Sequence, residues 1–394
     1  MTNAYEANIW KFYLFRVFSA LEITISIFIL FLLANNLSMT KVMILETIFI
    51  AMVLLLEVPS GVFADLYGRK TSVSLAMLCA SISFVIFGLG TTFLTFFIAQ
   101  IFAAFWWVLT SGADSALIYD SLKEIKKEKQ YAKIFGKGSF YSLLTWAVAS
   151  LISGFLAIYL GYRVLFFITA FIFFLGFLVT LWFKEPPIHK KVHKKNYFKH
   201  LIEALKFSYS HKIVKNLIIY SGMFAALGHL TWFVIQPFYD QSTLPKYIVG
   251  IATFIYFIGA AIGNLLAEKI IKRIKEEKLL ILILLIGSLS FIGIFFVSKL
   301  FALLLIATMS FVCGIRDLVV NKGINEHTDS HHRATVISIQ SMSKSLMYAI
   351  FAPLIGYFTD IFSPAAAFLM MGTALFIFFI YYAILSLINK SATL

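Results

Sequence analysis

Ionisable side chains occur inside long apolar stretches of the sequence, where each one costs free energy and therefore suggests a function. The first such stretch contains Arg16, Ser19, Glu22 and Ser26. On one continuous helix, at about 100° per residue, these side chains would fall within a sector of about 120°. We predict that Glu22 is a carboxylate that binds a proton or another cation. A static ion pair between Arg16 and Glu22, which would only neutralise charge, is the alternative.

The fourth apolar stretch places an aromatic ring close to a carboxylate. Trp107, Thr110 and Asp114 recur at helical spacing, and an aromatic beside a carboxylate suits a lipophilic cation. Asp114 is therefore a second candidate for proton or cation coupling. Arg316 and Asp317 lie about 202 positions later, in the tenth stretch. Two roles stay open for these charges: they bind substrate, or they lock one conformational state until a proton or substrate releases it.

The seventh and eleventh stretches add further polar groups to the predicted substrate cavity. Lys344 either pairs with Asp317 or receives an anionic group of the substrate. His229, Trp232 and Gln236 follow the spacing i, i+3 and i+7 of one helical face. An isolated histidine such as His229 more often makes a structural hydrogen bond than it titrates in a mechanism.

These residues stand in a chain that is too apolar for a soluble protein. Of its 394 residues 61% are hydrophobic and 13% are charged, with a mean hydropathy of +0.91. A soluble chain is about 45–50% apolar and about 25% charged. At about 20 residues per span, the apolar supply covers about twelve membrane-spanning helices. The sequence predicts an all-α polytopic membrane protein with spans near 9–34, 41–64, 72–91, 93–119, 133–160, 163–184, 212–239, 247–268, 278–298, 300–322, 334–359 and 364–388.

The distribution of basic residues predicts the orientation of the chain. Its net charge of +14 would suggest nucleic acid in a soluble protein, but here it is explained by Lys and Arg concentrated in cytoplasmic loops. We expect both termini to be cytoplasmic, in the plasma (inner) membrane. The most polar part, 186–211, is predicted to be a cytoplasmic linker between six-helix bundles at 1–185 and 212–394. A site for nucleic acid or anionic lipid in this linker is a weaker alternative.

The two halves carry similar residues at a common offset. Ala64-Asp65 matches Ala267-Glu268, Gly112 matches Gly314 and Gly154 matches Gly356, with offsets of about 202 to 203 positions. Two related halves of six helices are typical of transporters in which the halves rock about a central site. A nucleotide-binding loop and metal-ligand spacing are absent from the sequence, so we expect neither an enzyme nor a cofactor.

A loop between the second and third spans carries a motif with charges at fixed spacing. Asp65 is followed by Gly68, Arg69 and Lys70, and glycines at both ends, Gly61 and Gly68, would permit tight turns. The stretch resembles the G-x-x-x-D-x-x-G-R-K/R signature of the major facilitator superfamily. The resemblance implies twelve spans in two pseudo-symmetric bundles and a cytoplasmic gate.

In that family, the residue at Asp65 would contact the start of the eleventh span, near Arg333. Arg69 would pair with the acid at the end of the fourth span, here Asp120. A degenerate copy of the motif follows the eighth span, with Glu268 and Lys272.

A looser resemblance links residues 111–122 to bacterial drug exporters of the same superfamily. It implies efflux of hydrophobic or amphiphilic molecules by proton antiport, and we expect the protein to be monomeric in the bilayer. Two features depart from that pattern: Gln100 stands where antiporters carry an arginine, and no proline occurs near Gly154. An importer or uniporter of a polar or anionic metabolite is the alternative, and a non-transporting sensor or scaffold is a third.

Overall fold

The apolar stretches form α-helices, because a helix satisfies its backbone hydrogen bonds within one segment. The computed structural model describes residues 2–187, 211–328 and 330–391. Across these ranges no strand is present, and nine helices are long and apolar enough to cross a membrane. The helices are α1 Thr2–Phe18, α2 Phe28–Ala34, α3 Met39–Tyr67, α4 Arg69–Leu89, α5 Phe93–Thr110, α6 Ala113–Glu124, α7 Tyr131–Leu181, α8 Lys212–Asp240, α9 Ile248–Ile271, α10 Glu276–Phe296, α11 Lys299–Glu326, α12 Ser330–Ile361 and α13 Pro364–Ser391.

The first predicted span is not one continuous helix. α1 ends at Phe18 and α2 begins at Phe28, with turns between them. The intervening residues are rich in β-branched and hydroxyl side chains, such as Ile23, Thr24 and Ile25. β-Branched side chains lose rotamer freedom in a helix, and hydroxyl groups compete for its backbone hydrogen bonds. The prediction that Arg16, Ser19, Glu22 and Ser26 share one helical face is therefore wrong.

Glycines with a positive φ lie at two further helix breaks, one of which the sequence did not predict. The fourth span is divided into α5 and α6 at Gly112, whose φ is +77°, a value that side chains with a Cβ rarely adopt. The fifth and sixth spans meet within α7 at a kink of non-helical backbone at Gly161, where φ is +72°, so the predicted boundary between 133–160 and 163–184 is confirmed. Glycine thus separates helices by its backbone dihedral angle, which the apolar pattern does not report.

The chain divides into two compact units. Among the described residues, unit 1 comprises 2–37, 44–187 and 246–254, and unit 2 comprises 38–43, 211–245 and 255–391 without 329. In unit 1, α4 packs against α5 and α7, and α1 packs against α7. In unit 2, α10 packs against α11 and α13, and α8 packs against α12. The predicted linker 186–211 lies almost entirely outside the described residues.

A close helix crossing in unit 2 determines where α11 lies. A Cβ placed on Gly314 would be 2.1 Å from the carbonyl oxygen of Ala260 on α9, and one on Gly263 would be 2.0 Å from the carbonyl oxygen of Phe311. Small residues at such positions let two helix backbones approach closely. This crossing fixes the segment of α11 that carries Arg316 and Asp317.

Candidate functional site

The loop between α3 and α4 brings the gate charges together. Gly68 has a φ of +102° and turns the chain, whereas Gly61 lies inside α3, so the prediction of a turn at Gly61 is wrong. Arg69 donates to the Asp65 carboxylate one helical turn earlier, and its Nε lies 4.0 Å from Oδ2 of Asp120. The expected pairing of Arg69 with Asp120 is therefore observed, with the two charged groups about as far apart as an ion pair allows.

The same loop is held by an acid that the sequence analysis missed. Glu185 accepts hydrogen bonds from the backbone N–H groups of Arg69 and Lys70, each at 2.8 Å. A Cβ on Gly68 would be 2.8 Å from the Glu185 carboxyl group, so a glycine is required there. Burial raises the pKa of Glu185, although the N–H donors oppose the rise. In the sequence, only the position of Glu185 directly before Pro186-Pro187, at the end of the sixth span, could have pointed to this role.

In unit 1 the partner of Arg16 is Asp114. Arg16 Nη1 lies 3.0 Å from Asp114 Oδ2, and the two side chains are 20% and 8% exposed. Asp114, in the first turn of α6 after the break at Gly112, also accepts the N–H of Ser115 at 2.6 Å. The carbonyl oxygen of Arg16 accepts from the hydroxyl of Ser19 at 3.3 Å. The alternative of an Arg16–Glu22 pair is therefore not observed.

Glu22 lies in the break between α1 and α2. Its Oε1 accepts from the Thr24 hydroxyl at 3.3 Å, a neutral donor two residues away. Elsewhere in unit 1, the buried Glu46 of α3 accepts from the Gln100 amide of α5 at 2.7 Å. The side-chain amide of Gln100 thus binds this carboxylate with a neutral group. Glu22 and Glu46 are both contacted by neutral donors, in contrast to Asp114.

Trp107 and Thr110 do not share a helix with Asp114, because α5 ends at Thr110 and α6 begins after Gly112. The Trp107 side chain is 49% exposed, and its ring lies 6.4 Å from that of Phe49. The Thr110 hydroxyl donates to a carbonyl oxygen of its own helix at 2.9 Å. The predicted face that combines Trp107 with Asp114 is therefore divided between two helices.

In unit 2 two cations share one carboxylate. Arg316 Nη2 lies 2.6 Å from Oδ1 of Asp317, and Lys344 Nζ lies 3.4 Å from the same oxygen. The Arg316 side chain is 7% exposed, whereas that of Asp317 is 48% exposed. The guanidinium also lies 5.4 Å from the centre of the Phe224 ring on α8. We call Arg316, Asp317 and Lys344 the basic triad.

Aromatic side chains of α8 and α12 contact one another one turn beyond Lys344. The ring of His229 is 5.3 Å from that of Tyr348, one turn beyond Lys344 on α12, and 6.4 Å from that of Trp232. The Trp232 Nε1 is buried and has no hydrogen-bond partner in the part of the chain that the structure describes. Gln236, the third residue of the predicted face, is buried in α8.

A cavity in unit 1 lies apart from the residues described above. A volume of about 410 Å³ in unit 1 is lined mainly by α2 and the kinked part of α7, with Leu30, Gly154, Gly161 and Lys246 among its walls. None of the residues predicted to bind substrate lines it. Among residues 2–187, 211–328 and 330–391, no group of three His, Cys, Asp or Glu side chains is arranged to hold a metal ion.

Comparison with known proteins gives a consistent family. The sequence matches the profile of the Major Facilitator Superfamily over residues 12–315 and 230–393. An uncharacterized MFS-type transporter of Bacillus subtilis (strain 168), YxaM, is 24% identical over 397 residues, which cover 96% of either chain. Multidrug resistance protein 2 of the same organism is 24% identical over 239 residues, or 58% of this chain and 57% of that protein.

Solved structures of membrane transporters share the fold. The nucleoside transporter NupG superposes with a TM-score of 0.78 at 13% identity, covering 95% of this chain and 96% of that one. A bacterial homologue of the human lysosomal transporter Spinster, inward-facing and unoccupied, superposes with a TM-score of 0.75 at 16% identity, covering 97% and 95%. At such identities the likeness shows the fold alone, and it confirms the predicted arrangement of helices.

Proposed function

The chain belongs to the major facilitator superfamily of membrane transporters, and on this premise we propose that it exports hydrophobic or amphiphilic molecules in exchange for protons. Transport would proceed by alternating access. The protein would work as a monomer in the plasma membrane, with both termini in the cytoplasm and protons as the coupling ion.

The position of Glu22 in the break of the first span carries this proposal. Non-helical backbone at membrane depth is tolerated where it is buried in protein or lines a water-filled cavity, and an ionisable residue there marks an ion or proton pathway. The described contacts of the Glu22 side chain include a neutral hydroxyl at 3.3 Å rather than a cation. Glu22 can therefore take up and release a proton without breaking an ion pair.

Asp114 is less suited to carry a proton on its own. Its carboxylate is engaged by Arg16 at 3.0 Å and by a backbone N–H at 2.6 Å, so proton uptake would disrupt an existing ion pair. In this proposal Asp114 is the counter-ion of Arg16 and holds the end of α1 to α6. Proton coupling then depends on Glu22, with the Glu46–Gln100 pair as a second buried carboxylate in the same unit.

Transport in proteoliposomes tests the proposal. The probes are 1-naphthalenesulfonate, its neutral sulfonamide and naphthylmethylammonium, which share an apolar body and differ in charge. An antiporter in liposomes with an acidic lumen accumulates its substrate as protons leave, and Glu22→Gln should equilibrate the probe without accumulating it. Asp65→Asn, a change of the same kind in the gate loop, should slow transport without removing its dependence on the gradient. Gradient-dependent accumulation by Glu22→Gln would remove this residue from the mechanism.

A second candidate function is import or uniport of an anionic metabolite, and the basic triad favours it. Arg316 and Lys344 together carry one positive charge more than Asp317 neutralises, which suits an anion. The direction of the gradient separates the two functions. Symport accumulates the probe when the outside is acidic, antiport accumulates it when the lumen is acidic, and a uniporter accumulates it with neither.

A further inference from the structure

We infer that the basic triad is a binding site for an amphiphilic organic monoanion, and that Asp317 occupies this site as an internal stand-in until the substrate displaces it. The ligand class is an aromatic or other flat apolar body that bears one carboxylate or sulfonate group. This inference rests on the proposed transport function and adds the chemical class of its substrate.

The charges of the triad are the first support. Arg316 and Lys344 reach the same oxygen of Asp317, at 2.6 Å and 3.4 Å, so two cations compete for one acceptor atom. A carboxylate or sulfonate offers further oxygen atoms to both cations at once. Charge-assisted hydrogen bonds of this kind are shorter and about twice as strong as neutral ones.

An unused donor of Arg316 is the second and independent support. The Arg316 side chain is 7% exposed, and its Nε is buried with no hydrogen-bond partner within the described ranges. A buried donor without an acceptor is costly, so such a group in a native structure requires an explanation. An anion that binds the fork of the guanidinium would supply the missing acceptor, because Arg binds carboxylates through paired N–H groups.

The exposure of Asp317 shows why it can be displaced. Its side chain is 48% exposed while Arg316 beside it is 7% exposed. Asp317 is also adjacent to Arg316 in sequence, so a change of its rotamer, without any movement of α11, would release both cations. The acid therefore neutralises the empty site at little structural cost and leaves when a better acceptor arrives.

The surroundings of the triad define the rest of the ligand. Phe224 lies 5.4 Å from the Arg316 guanidinium, and the His229 and Tyr348 rings are in contact one turn beyond Lys344. The unpaired Nε1 of Trp232 adds a hydrogen-bond donor beside His229. Aromatic rings with a few polar donors are typical of small-molecule sites that hold an amphiphile.

Binding to the purified protein in detergent, measured by calorimetry, tests the inference without requiring transport. Wild type should bind 1-naphthalenesulfonate at least about tenfold more tightly than the neutral sulfonamide or naphthylmethylammonium, since charged hydrogen bonds distinguish them. Arg316→Gln and Lys344→Gln should each weaken sulfonate binding by about tenfold or more. Asp317→Asn should strengthen it by about tenfold, because the stand-in no longer competes for the cations.

Lys322→Gln is the matched control, because it removes the same charge from the same helix at a residue that pairs with Glu276 outside the triad. Its affinity for the sulfonate should equal that of wild type. Arg316→Lys, which keeps the charge, serves if Arg316→Gln does not fold, and it should bind more weakly than wild type and retain a preference for the anion.

Three results would overturn the inference: equal binding of the sulfonate and the sulfonamide, unchanged or weaker binding by Asp317→Asn, and unchanged binding by both cation variants. The transport proposal fails separately. Anion binding that follows the pattern above, without any gradient-driven transport, refutes proton coupling and keeps the site. Proton-driven transport of a neutral or cationic probe, without anion binding, refutes the site and keeps the coupling.

Discussion

Replacing either partner of the Arg16–Asp114 pair should destabilise unit 1, and replacing both should cost little more than replacing one. The ions are 3.0 Å apart, with 20% and 8% of the two side chains exposed. Removing one partner of a fully buried pair costs about 3–5 kcal/mol, because it leaves an uncompensated charge. Since Arg16 is partly exposed, we expect about 2–3 kcal/mol for Arg16→Gln or Asp114→Asn.

A double-mutant cycle on the micelle-solubilised protein measures this coupling. The free energy of unfolding is determined by denaturant titration for wild type, both single variants and the double variant. The double variant should recover about 2 kcal/mol relative to the sum of the single changes. Asp114→Asn retains an acceptor for the Ser115 N–H, so that hydrogen bond survives in the variant.

The Glu268–Lys272 pair provides the control cycle. Its ions are only 2.6 Å apart, but both side chains are more than 70% exposed and water screens them. Its coupling should be much smaller than that of Arg16 with Asp114. Additive effects of Arg16→Gln and Asp114→Asn would refute the reasoning, since Asp114 would then be available for a role independent of Arg16.

Three further predictions concern packing and buried hydrogen bonds, each measured by thermal unfolding in detergent. Gly314→Ala should lower the free energy of unfolding by about 1–3 kcal/mol, because its Cβ would lie 2.1 Å from a backbone oxygen of α9. A Cβ at Gly61 meets nothing within 4 Å, so Gly61→Ala should be tolerated. Equal effects of the two changes would contradict the close crossing of α9 and α11. Glu185→Ala should lower the free energy of unfolding by about 1 kcal/mol, because the first N–H groups of α4 lose their acceptor. Glu185→Gln, which keeps an acceptor, should have a smaller effect. The reverse ranking would show that these hydrogen bonds do not hold the loop. Glu46→Leu should lower the free energy of unfolding by about 1–3 kcal/mol, because the Gln100 amide loses its acceptor. Glu46→Gln preserves an acceptor, so its stability should stay near that of wild type.

The sequence predicted the fold well because the membrane imposes a simple rule. Apolar runs of helix length must form helices, so the approximate limits of most spans followed from hydrophobicity alone. The errors arose where local backbone chemistry overrides that pattern. The β-branched and hydroxyl residues around Thr24 break the first span, and the positive φ of Gly112 divides the fourth span into α5 and α6.

The members of the candidate site were easier to predict than their partners. A charged residue inside an apolar run is visible in the sequence, so Glu22, Asp114, Arg316 and Lys344 could be selected as candidates from it. The pairing of Arg16 with Asp114 joins residues 98 positions apart, and the clamp of Glu185 on Arg69 joins residues 116 apart. Such contacts depend on how helices pack, which neither periodicity nor spacing encodes.

Accumulation of 1-naphthalenesulfonate by proteoliposomes with an acidic lumen tests most directly whether this transporter couples protons through Glu22. The sulfonate is permanently charged, so it does not carry protons across the bilayer by itself. We predict that wild type accumulates the probe above its external concentration, that a protonophore abolishes the accumulation, and that Glu22→Gln only equilibrates the probe. Accumulation by Glu22→Gln at the wild-type level, or transport by wild type that ignores the gradient, would contradict the account.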